Sequence, residues 1–562
     1  MTSEAFRRYA DARLAGLRGA RESWLEHWRD VAGHVLPRRY RWLVAANDTS
    51  RGSQINHRIL DSTGTLAART LASGMMNGIT SPTRPWFRLR IEGYEEDYEV
   101  QSWLTDCERR MMTVFQASNF YQAMAIMYFD LVVFGSACVV IYENFENVIH
   151  CSNPCLGEFF FDLNNDLEIG TVAREFTLTY CQLVEEFGEE KVSRDVRDGY
   201  KDGALKSREK VICHIIERNV GESAGVAKTF PFREVYWEVG SPQDQVLRAR
   251  GFHDWPVMAP RWDVQSNDPY GRSPGMDALG DIKQLQQETR RKAQAIDKMV
   301  NPPLLADVQL KNQPMSLLPG GTTYVSGLSR DREGARPVYT VMPPIAEMMQ
   351  DIREVQQRIK ITFHNDLFTG ITDLTTVRTA TEIDARREEK LVLLGPVLER
   401  ILSSREGLGS AIDRVWGIMF RGQLLPPPPQ SLAGQATHIE VDYLSMLAMA
   451  QKGIATAGIE KLWAFAGNLA AVKPDILDKL NADQTVDEYA AALGVSPKII
   501  VSDEDAAAVR QGRAQQQQMA QATEMAATAA QGAKTLSETD VGGGINAMQM
   551  MLGNATAPTQ GT

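Results

Sequence analysis

The sequence is poor in the features that usually announce an activity. No apolar run in its 562 residues approaches the ~18 positions of a membrane span. Cysteine is scarce: Cys107, Cys138, Cys151, Cys155, Cys181 and Cys213 all lie in one third of the chain. With a charge-rich N-terminus that lacks a signal-peptide pattern, reduced thiols in a cytosolic setting are expected. Basic charge is not in excess either. Sixty Lys and Arg against 71 Asp and Glu give a net charge of -11. That promises no basic nucleic-acid surface, although a protein that passes DNA without gripping it stays compatible.

The motif inventory is equally bare. There is no GxxxxGK[ST], so nothing cradles a nucleotide phosphate, and a DNA-moving motor would need that loop. HExxH and GxSxG are absent, and Gly542, Gly543 and Gly544 are expected in a tail instead of between a strand and a helix. The most ligand-like group is HCSNPC, with His150, Cys151 and Cys155, joined by Cys213-His214 if that strand lies near. Zinc wants four ligands in a tetrahedral shell, the C-x3-C spacing is loose, and no second pair follows. Half-buried cysteines are expected here, with no metal and no cofactor. Glu143 with Glu146, and Asp162 with Asp166, are unspecific acidic pairs; a two-metal nuclease would need such carboxylates to converge in a cleft.

What is present is architecture. Apolar residues make up 43% of a chain long enough for two to four structural units. Phe6, Ala10, Leu14, Leu17, Trp24 and Trp28 form the apolar stripe of a first helix. In LASGMMNGITSPTRPWFRLR a second helix should stop at Asn77-Gly78. Pro82 and Pro85 then stiffen a turn, and Phe87, Leu89 and Ile91 alternate with Arg88 and Arg90 as a strand. Gly74 and its small neighbours would let another backbone approach, and Trp86 and Phe87 would anchor the turn. Arg84 reads either as a contact to a neighbouring subunit or as a helix-end partner. Helices over 97 to 133, a break at Gly135, and strands and a short helix capped by Thr177 or Thr179 complete a mixed α and β region over roughly 40 to 265.

Two long helices with thin apolar stripes follow, Met276 to Val300 and Pro343 to Phe368. Between them lies an extended module with a turn at Pro319-Gly320-Gly321 and a strand-like TTYVSGL containing Tyr324. Mixed polar faces suit packing side by side in a ring or bundle; an ordinary helical hairpin with a β tip is the blander alternative. Arg290, Arg291 and Lys292 put positive charge on one helix side. Facing a pore they could touch phosphates, and otherwise they would pair with acids on a neighbouring helix. The Thr-rich segment 369 to 381, with Thr375, Thr376 and Arg378, precedes a further helix in which Gly395-Pro396 predicts a kink. GQLLPPPPQSL is a linker or extended strut. Residues 437 to 515 read as a strand and Ala-rich helices. Beyond them the composition turns to Gln and Ala, and past Ser537 disorder is expected.

LASGMMNGITSPTRPWFRLR, DLVVFGSACVVIYEN, CLGEFFFDLN, TVAREFTLTYCQLVEEFG, MAPRWDVQSNDPYGRSPGMDALGDIKQLQ and KMVNPPLLA together resemble the head-to-tail connector, or portal, proteins of short-tailed (T7-like) bacteriophages over roughly residues 5 to 430. The resemblance implies an α+β multidomain portal fold with no catalytic residues. Its regions would be the N-terminal part of the wing (1-265), a first stem helix with its lead-in (266-302), a clip (303-342) and a second stem helix (343-368). A tunnel-loop region (369-381), a wing return helix with linker (382-436) and a crown (437-515) would follow. Residues 516-562 would either extend the crown as a barrel helix or stay disordered. It further implies a homo-oligomeric ring, typically of twelve copies, at one capsid vertex of the virion, assembled in the host cytoplasm. Double-stranded DNA would be packaged and later ejected through it. Partners would be the terminase large subunit, head-tail adaptor and tail tube proteins, major capsid and scaffolding proteins, and internal core proteins at the crown. Arg290, Arg291, Lys292, Thr375, Thr376 and Arg378 become candidate DNA-channel or intersubunit contacts. Gly74, Asn77, Gly78, Arg84, Trp86 and Phe87 become candidates for wing packing and ring assembly, and Pro319, Gly320 and Tyr324 for clip docking. A scaffold or adaptor without a channel, or a metal-dependent nuclease-like phage enzyme, are the alternatives.

Overall fold

The computed structural model describes residues 3-39, 57-94, 97-203, 205-219, 229-242, 245-300, 304-306, 335-337, 343-369, 395-432, 439-444, 446-470, 479-493, 501 and 503-538. The chain divides into two compact units. One comprises residues 1-95 and 103-454, the other 96-102 and 455-562.

The first part of the chain runs α1 (Ser3–Val35), α2 (Thr63–Ile79), β1 (Phe87–Ile91), α3 (Tyr98–Ala117), α4 (Phe120–Phe134), β2 (Val139–Asn144), β3 (Val148–Ser152), β4 (Phe159–Leu163) and β5 (Ile169–Thr179). Next come α5 (Tyr180–Phe187), α6 (Arg194–Lys201), β6 (Glu209–Arg218), β7 (Phe232–Glu238), β8 (Arg248–Phe252) and β9 (Val257–Met258). After a single turn at Pro274–Asp277 come α7 (Leu279–Val300), β10 (Leu304–Ala306), β11 (Ala335–Pro337) and α8 (Ile345–Thr362). Then follow α9 (Gly395–Leu402), α10 (Leu408–Arg421), β12 (Ile439–Tyr443), α11 (Met446–Ala470), α12 (Ala482–Leu493) and α13 (Asp503–Glu538).

The antiparallel sheet β4-β5-β6-β7-β8 is covered on both faces, which is why β6 reads as a nearly unbroken apolar run. Phe6, Ala10, Leu14 and Leu17 of α1 recur every three to four residues and bury against Phe160, Cys213, Ile215 and Trp237. On the other face Leu183, Phe187 and Val196 bury against Ile212 and Tyr236. Arginines then staple α1 to the sheet. Arg13 bonds Asp162, Arg18 bonds Glu175, and Arg21 donates to the carbonyls of Gly157 and Phe159 at 3.1 and 2.9 Å. Between the two cap candidates the structure chooses Thr179, which forms a capping box with Gln182 while β5 runs up to it.

The stretch 71-90 folds as helix, turn and strand. The helix passes the expected Asn77-Gly78 stop by one residue, to Ile79. Trp86 is enclosed by Phe87, Phe115 and Phe120, with ring centroids 4.7, 5.7 and 6.2 Å away, and its Nε1 donates to the Tyr121 hydroxyl at 3.3 Å. β1 pairs antiparallel with β12, while on its other edge the Leu89 N–H donates to Glu108 at 2.8 Å. α4 is buried nearly all round and ends at Gly135, whose φ of 78° is left-handed. A Cβ there would collide with the Gly271 carbonyl, so the break read from sequence is a tight crossing.

α7 and α8 lie side by side and differ along their length. At the base Ile282, Leu285, Ile352, Val355 and Ile359 are buried. Toward the other end Ile296, Met299, Val300 and Met349 are exposed. The helix expected to reach Phe368 is shorter. It ends at Thr362, His364 adopts a φ of 49°, and a separate turn Asp366–Thr369 follows. A left-handed residue cannot continue an α-helix. Of the module between the helices, the described part is the antiparallel pair β10-β11, with Leu304 opposite Pro337. Gly395-Pro396 begins a described helix, and residues 370-394 lie outside the described ones.

In the second unit Tyr489 donates to Glu460 at 2.6 Å, and Arg510 forks onto Asp483 at 2.6 and 2.5 Å. α13 runs without a break through the expected boundary at 515/516, and its Val509, Met519 and Met525 are exposed.

Candidate functional site

The base of the α7–α8 pair is held by one polar junction. Gln286, buried on α7, accepts from the Leu60 and Asp61 N–H groups at 2.6 and 2.9 Å and donates to the Asp61 carbonyl at 2.8 Å. Gln356 of α8 donates to the Asp61 carboxylate at 2.7 Å, and the same carboxylate accepts from the Thr63 N–H at 2.8 Å, starting α2. Arg358 reaches Asp281 at 3.2 Å, and Lys283 bonds Asp30 of α1. Both helices therefore leave the rest of the first unit at a fixed place.

Further along α7, Arg290 and Arg291 are exposed and Lys292 is half-buried. Among the described residues none of the three has an acidic partner. Thr375, Thr376 and Arg378, like Pro319, Gly320 and Tyr324, lie outside the described residues.

The group around the turn at residue 80 divides in two. Trp86, Phe87 and Gly78 are buried inside the subunit, whereas Asn77 and Arg84 are exposed and Gly74 is half-buried. Arg84 donates to the Asn77 carbonyl at 3.3 Å, so it serves the end of α2.

The sulfur and imidazole groups do not converge. His150 is exposed while Cys151 and Cys155 are buried, and Cys155 Sγ accepts from Arg39 at 3.0 Å. Cys213 packs on the α1 face of the sheet; its neighbour in a strand must face the other way, and His214 stacks on Tyr236 there. Burial pushes the Cys151 and Cys155 thiols up to about 12, far from a metal-binding thiolate. Among the described residues no group of three His, Cys, Asp or Glu could hold a metal ion.

The network that sequence reasoning missed is centred on Glu234. His214 Nε2 and the Tyr236 hydroxyl each lie 2.9 Å from Glu234 Oε1, Arg250 bonds Oε2, and Tyr142 of β2 lies 3.1 Å from the Tyr236 hydroxyl. Burial holds His214 down at about 4, with Glu234 pulling back only in part. Burial alone would raise Glu234, but His214 and Arg250 outweigh it and bring it to about 2. A neutral imidazole thus faces a carboxylate at neutral pH. His214 and Glu234 are both fully sealed from solvent, so no substrate reaches them. The network ties the three-stranded sheet β3-β2-β9 to the five-stranded one. Only Glu234 and Tyr236, two apart on β7, are close in the sequence; His214, Arg250 and Tyr142 join them from other strands, so no spacing signal marks the network.

A second clamp was equally invisible. Arg261 forks onto Glu406 at 3.0 and 2.8 Å and donates to the carbonyls of Asp268 and Leu167 at 2.8 and 3.0 Å. Glu406 also accepts from the Ile169 N–H at 2.7 Å. The approach to α7, the β4–β5 turn and the turn after α9 are locked together.

The chain as a whole is similar to known proteins. The family model described as bacteriophage head to tail connecting protein matches residues 7–501. A protein named "Portal protein" from Salmonella phage epsilon15 is 41% identical over 97% of this chain and 98% of its own length. A "Probable portal protein" from Bordetella phage BPP-1 is 40% identical over 95% of each. Among solved structures, a chain of the virion of a native gene transfer agent particle matches with a TM-score of 0.33 and 12% identity over 77% of this chain and 89% of that one, a likeness too slight to bear on the fold. With a match spanning most of its length and relatives at this identity, the chain belongs to the bacteriophage head-to-tail connecting proteins, the portal family.

Proposed function

We propose that this chain is the repeating subunit of a portal ring, the conduit at one capsid vertex of the virion through which double-stranded DNA is packaged and ejected. Family membership carries that reading. It makes the chain a structural component of the particle, not an enzyme. The observation in the fold that best fits it is the α7–α8 pair, rooted by Gln286 and Asp61 and apolar but uncovered toward its far end. A monomer gains nothing from such a surface, whereas a circle of copies would cover it.

In this reading α7 and α8 are the two stem helices and the β10–β11 module between them belongs to the clip, which would meet the packaging ATPase and later the tail. Residues 1-265 and 382-436 build the wing, 369-381 the tunnel loop, 437-515 the crown, and α13 carries the crown into its barrel. Twelve copies of an acidic chain would present DNA with a mostly repelling wall, and Arg290, Arg291 and Lys292 would supply local points of contact. Cryo-electron microscopy of the purified protein with no symmetry imposed tests this. A closed ring, near twelve-fold, with a duplex-wide hole is expected. A monomer, a dimer or a solid particle overturns it.

A further inference from the structure

A closed ring needs two unlike surfaces on each subunit, one that protrudes and one that receives. The protrusion with the clearest chemistry is the β2–β3 hairpin tip. Phe145 there is 111% exposed, touching nothing of its own chain. The tip is stiff, because Asn144 Oδ1 accepts from the N–H groups of Glu146 and Asn147 at 2.7 and 3.1 Å, and Val148 closes the turn at a φ of 67°. Beside Phe145, Glu146 is exposed and has no cationic partner among the described residues.

The receiving surface is a cleft of about 1340 Å³. Tyr9, Phe232 and Trp255 supply its aromatic wall, with Phe232 and Trp255 edge to face at 5.3 Å. Of the carboxylates that line it, Glu168, Glu217 and Asp254 are held by Arg405, Arg233 and Arg421, and Asp166 and Asp413 line it as well, Asp166 within the field of Arg405. Arg218 on its rim is exposed and, among the described residues, has no acidic partner. Aromatic rings with arginine at the rim are the composition that dominates protein–protein hot spots. Arg414 fixes the relation between the two surfaces, bonding Glu143 at the root of the hairpin at 3.2 Å and Asp254 of the cleft at 3.4 Å.

We infer that the cleft receives the Phe145 tip of the next copy, with Phe145 against the aromatic wall and Glu146 paired to Arg218. The inference rests on the ring reading above. An acidic, aromatic tip meeting an aromatic cleft with one unspent guanidinium is what selects a second copy of this chain as the occupant.

The test starts from wild-type rings scored by sedimentation and electron microscopy, with urea midpoints as a check on folding. Phe145→Ser, Glu146→Arg and Arg218→Glu should each leave the urea midpoint unchanged and raise the concentration needed for ring assembly by about ten-fold or more. Glu146→Arg combined with Arg218→Glu should restore assembly. Glu146→Cys and Arg218→Cys, placed on separate chains and co-assembled, should be joined by a short bis-maleimide, while each alone is not. Normal rings from all single variants with no cross-link overturn the inference alone. A wild-type chain that never forms rings overturns the ring reading and the inference with it.

Discussion

The α1-covered sheet and the α7–α8 pair are both long-helix architectures, yet they are finished by different means. Along α1 the buried residues run from Phe6 to Val35, and Arg13, Arg18 and Arg21 are spent on the sheet. Along α7 burial stops after Gln286, and the next three cations have no acidic partner among the described residues. Stability of the single chain therefore belongs to the first region. In the second, apolar side chains such as Ile296, Met299 and Val300 stay exposed, the surface that the proposed ring would cover.

Substitutions can sharpen or break that contrast. The largest loss is expected from Trp86→Ala, which opens a void among Phe87, Phe115 and Phe120. It should cost roughly 3–5 kcal/mol of monomer stability in urea unfolding. Next comes acid sensitivity. The folded value for His214, about 4, lies below its ordinary 6.5, so in that window the unfolded chain binds the extra proton. Stability from this group is complete above 6.5 and declines by roughly 1–3 kcal/mol as pH falls to 4. Glu234, ordinarily near 4.5 and here about 2, extends the decline below pH 4.5. His214→Gln should flatten the urea midpoint between pH 6.5 and 4; an unchanged slope would place the sensitivity elsewhere.

Gln286→Ala leaves the Leu60 and Asp61 N–H groups without their acceptor and should cost roughly 1–2 kcal/mol. Smallest for the monomer is Ile296→Ser with Met299→Ser, at most ~0.5 kcal/mol, because both side chains are about half exposed. The same double variant should impair ring formation in sedimentation. If it instead destabilised the monomer as much as Trp86→Ala, the contrast between the two regions would collapse.

Local chemistry was readable in advance where one residue decides the matter. Thr179 caps a helix because a hydroxyl three positions before Gln182 can close a capping box, and Gly135 ends α4 because only glycine fits beside the Gly271 carbonyl. The Trp86 turn followed from proline restriction and alternation. What escaped depends on partners distant in sequence. Arg261 meets Glu406 and Tyr142 meets Tyr236 only after the sheets have paired, and no window of the sequence holds both. The expectation that α8 would reach Phe368 failed for a related reason. Ile345 through Phe363 keep their period, but period alone does not register the left-handed His364 that breaks it. The cleft could not be foreseen at all, since its walls come from α1, the β4–β5 turn, β6, β7 and α10.

The pairing of β1 with β12 has a consequence in time. Arg90 and Asp442, which bond across it at 3.4 Å, are 352 positions apart. At a synthesis rate of ~5–20 residues per second, the ribosome needs roughly 20–70 s to deliver the second strand after the first. Until then the edge that β12 pairs has no partner strand, while on the other edge Glu108 can take the Leu89 N–H. A nascent chain with an unpaired strand edge is a template for the wrong neighbour. Glu108 satisfies one N–H, and the arrival of β12 closes the open edge. Closure of that edge, and with it protection from a wrong strand, thus waits on the synthesis of residues 439-443.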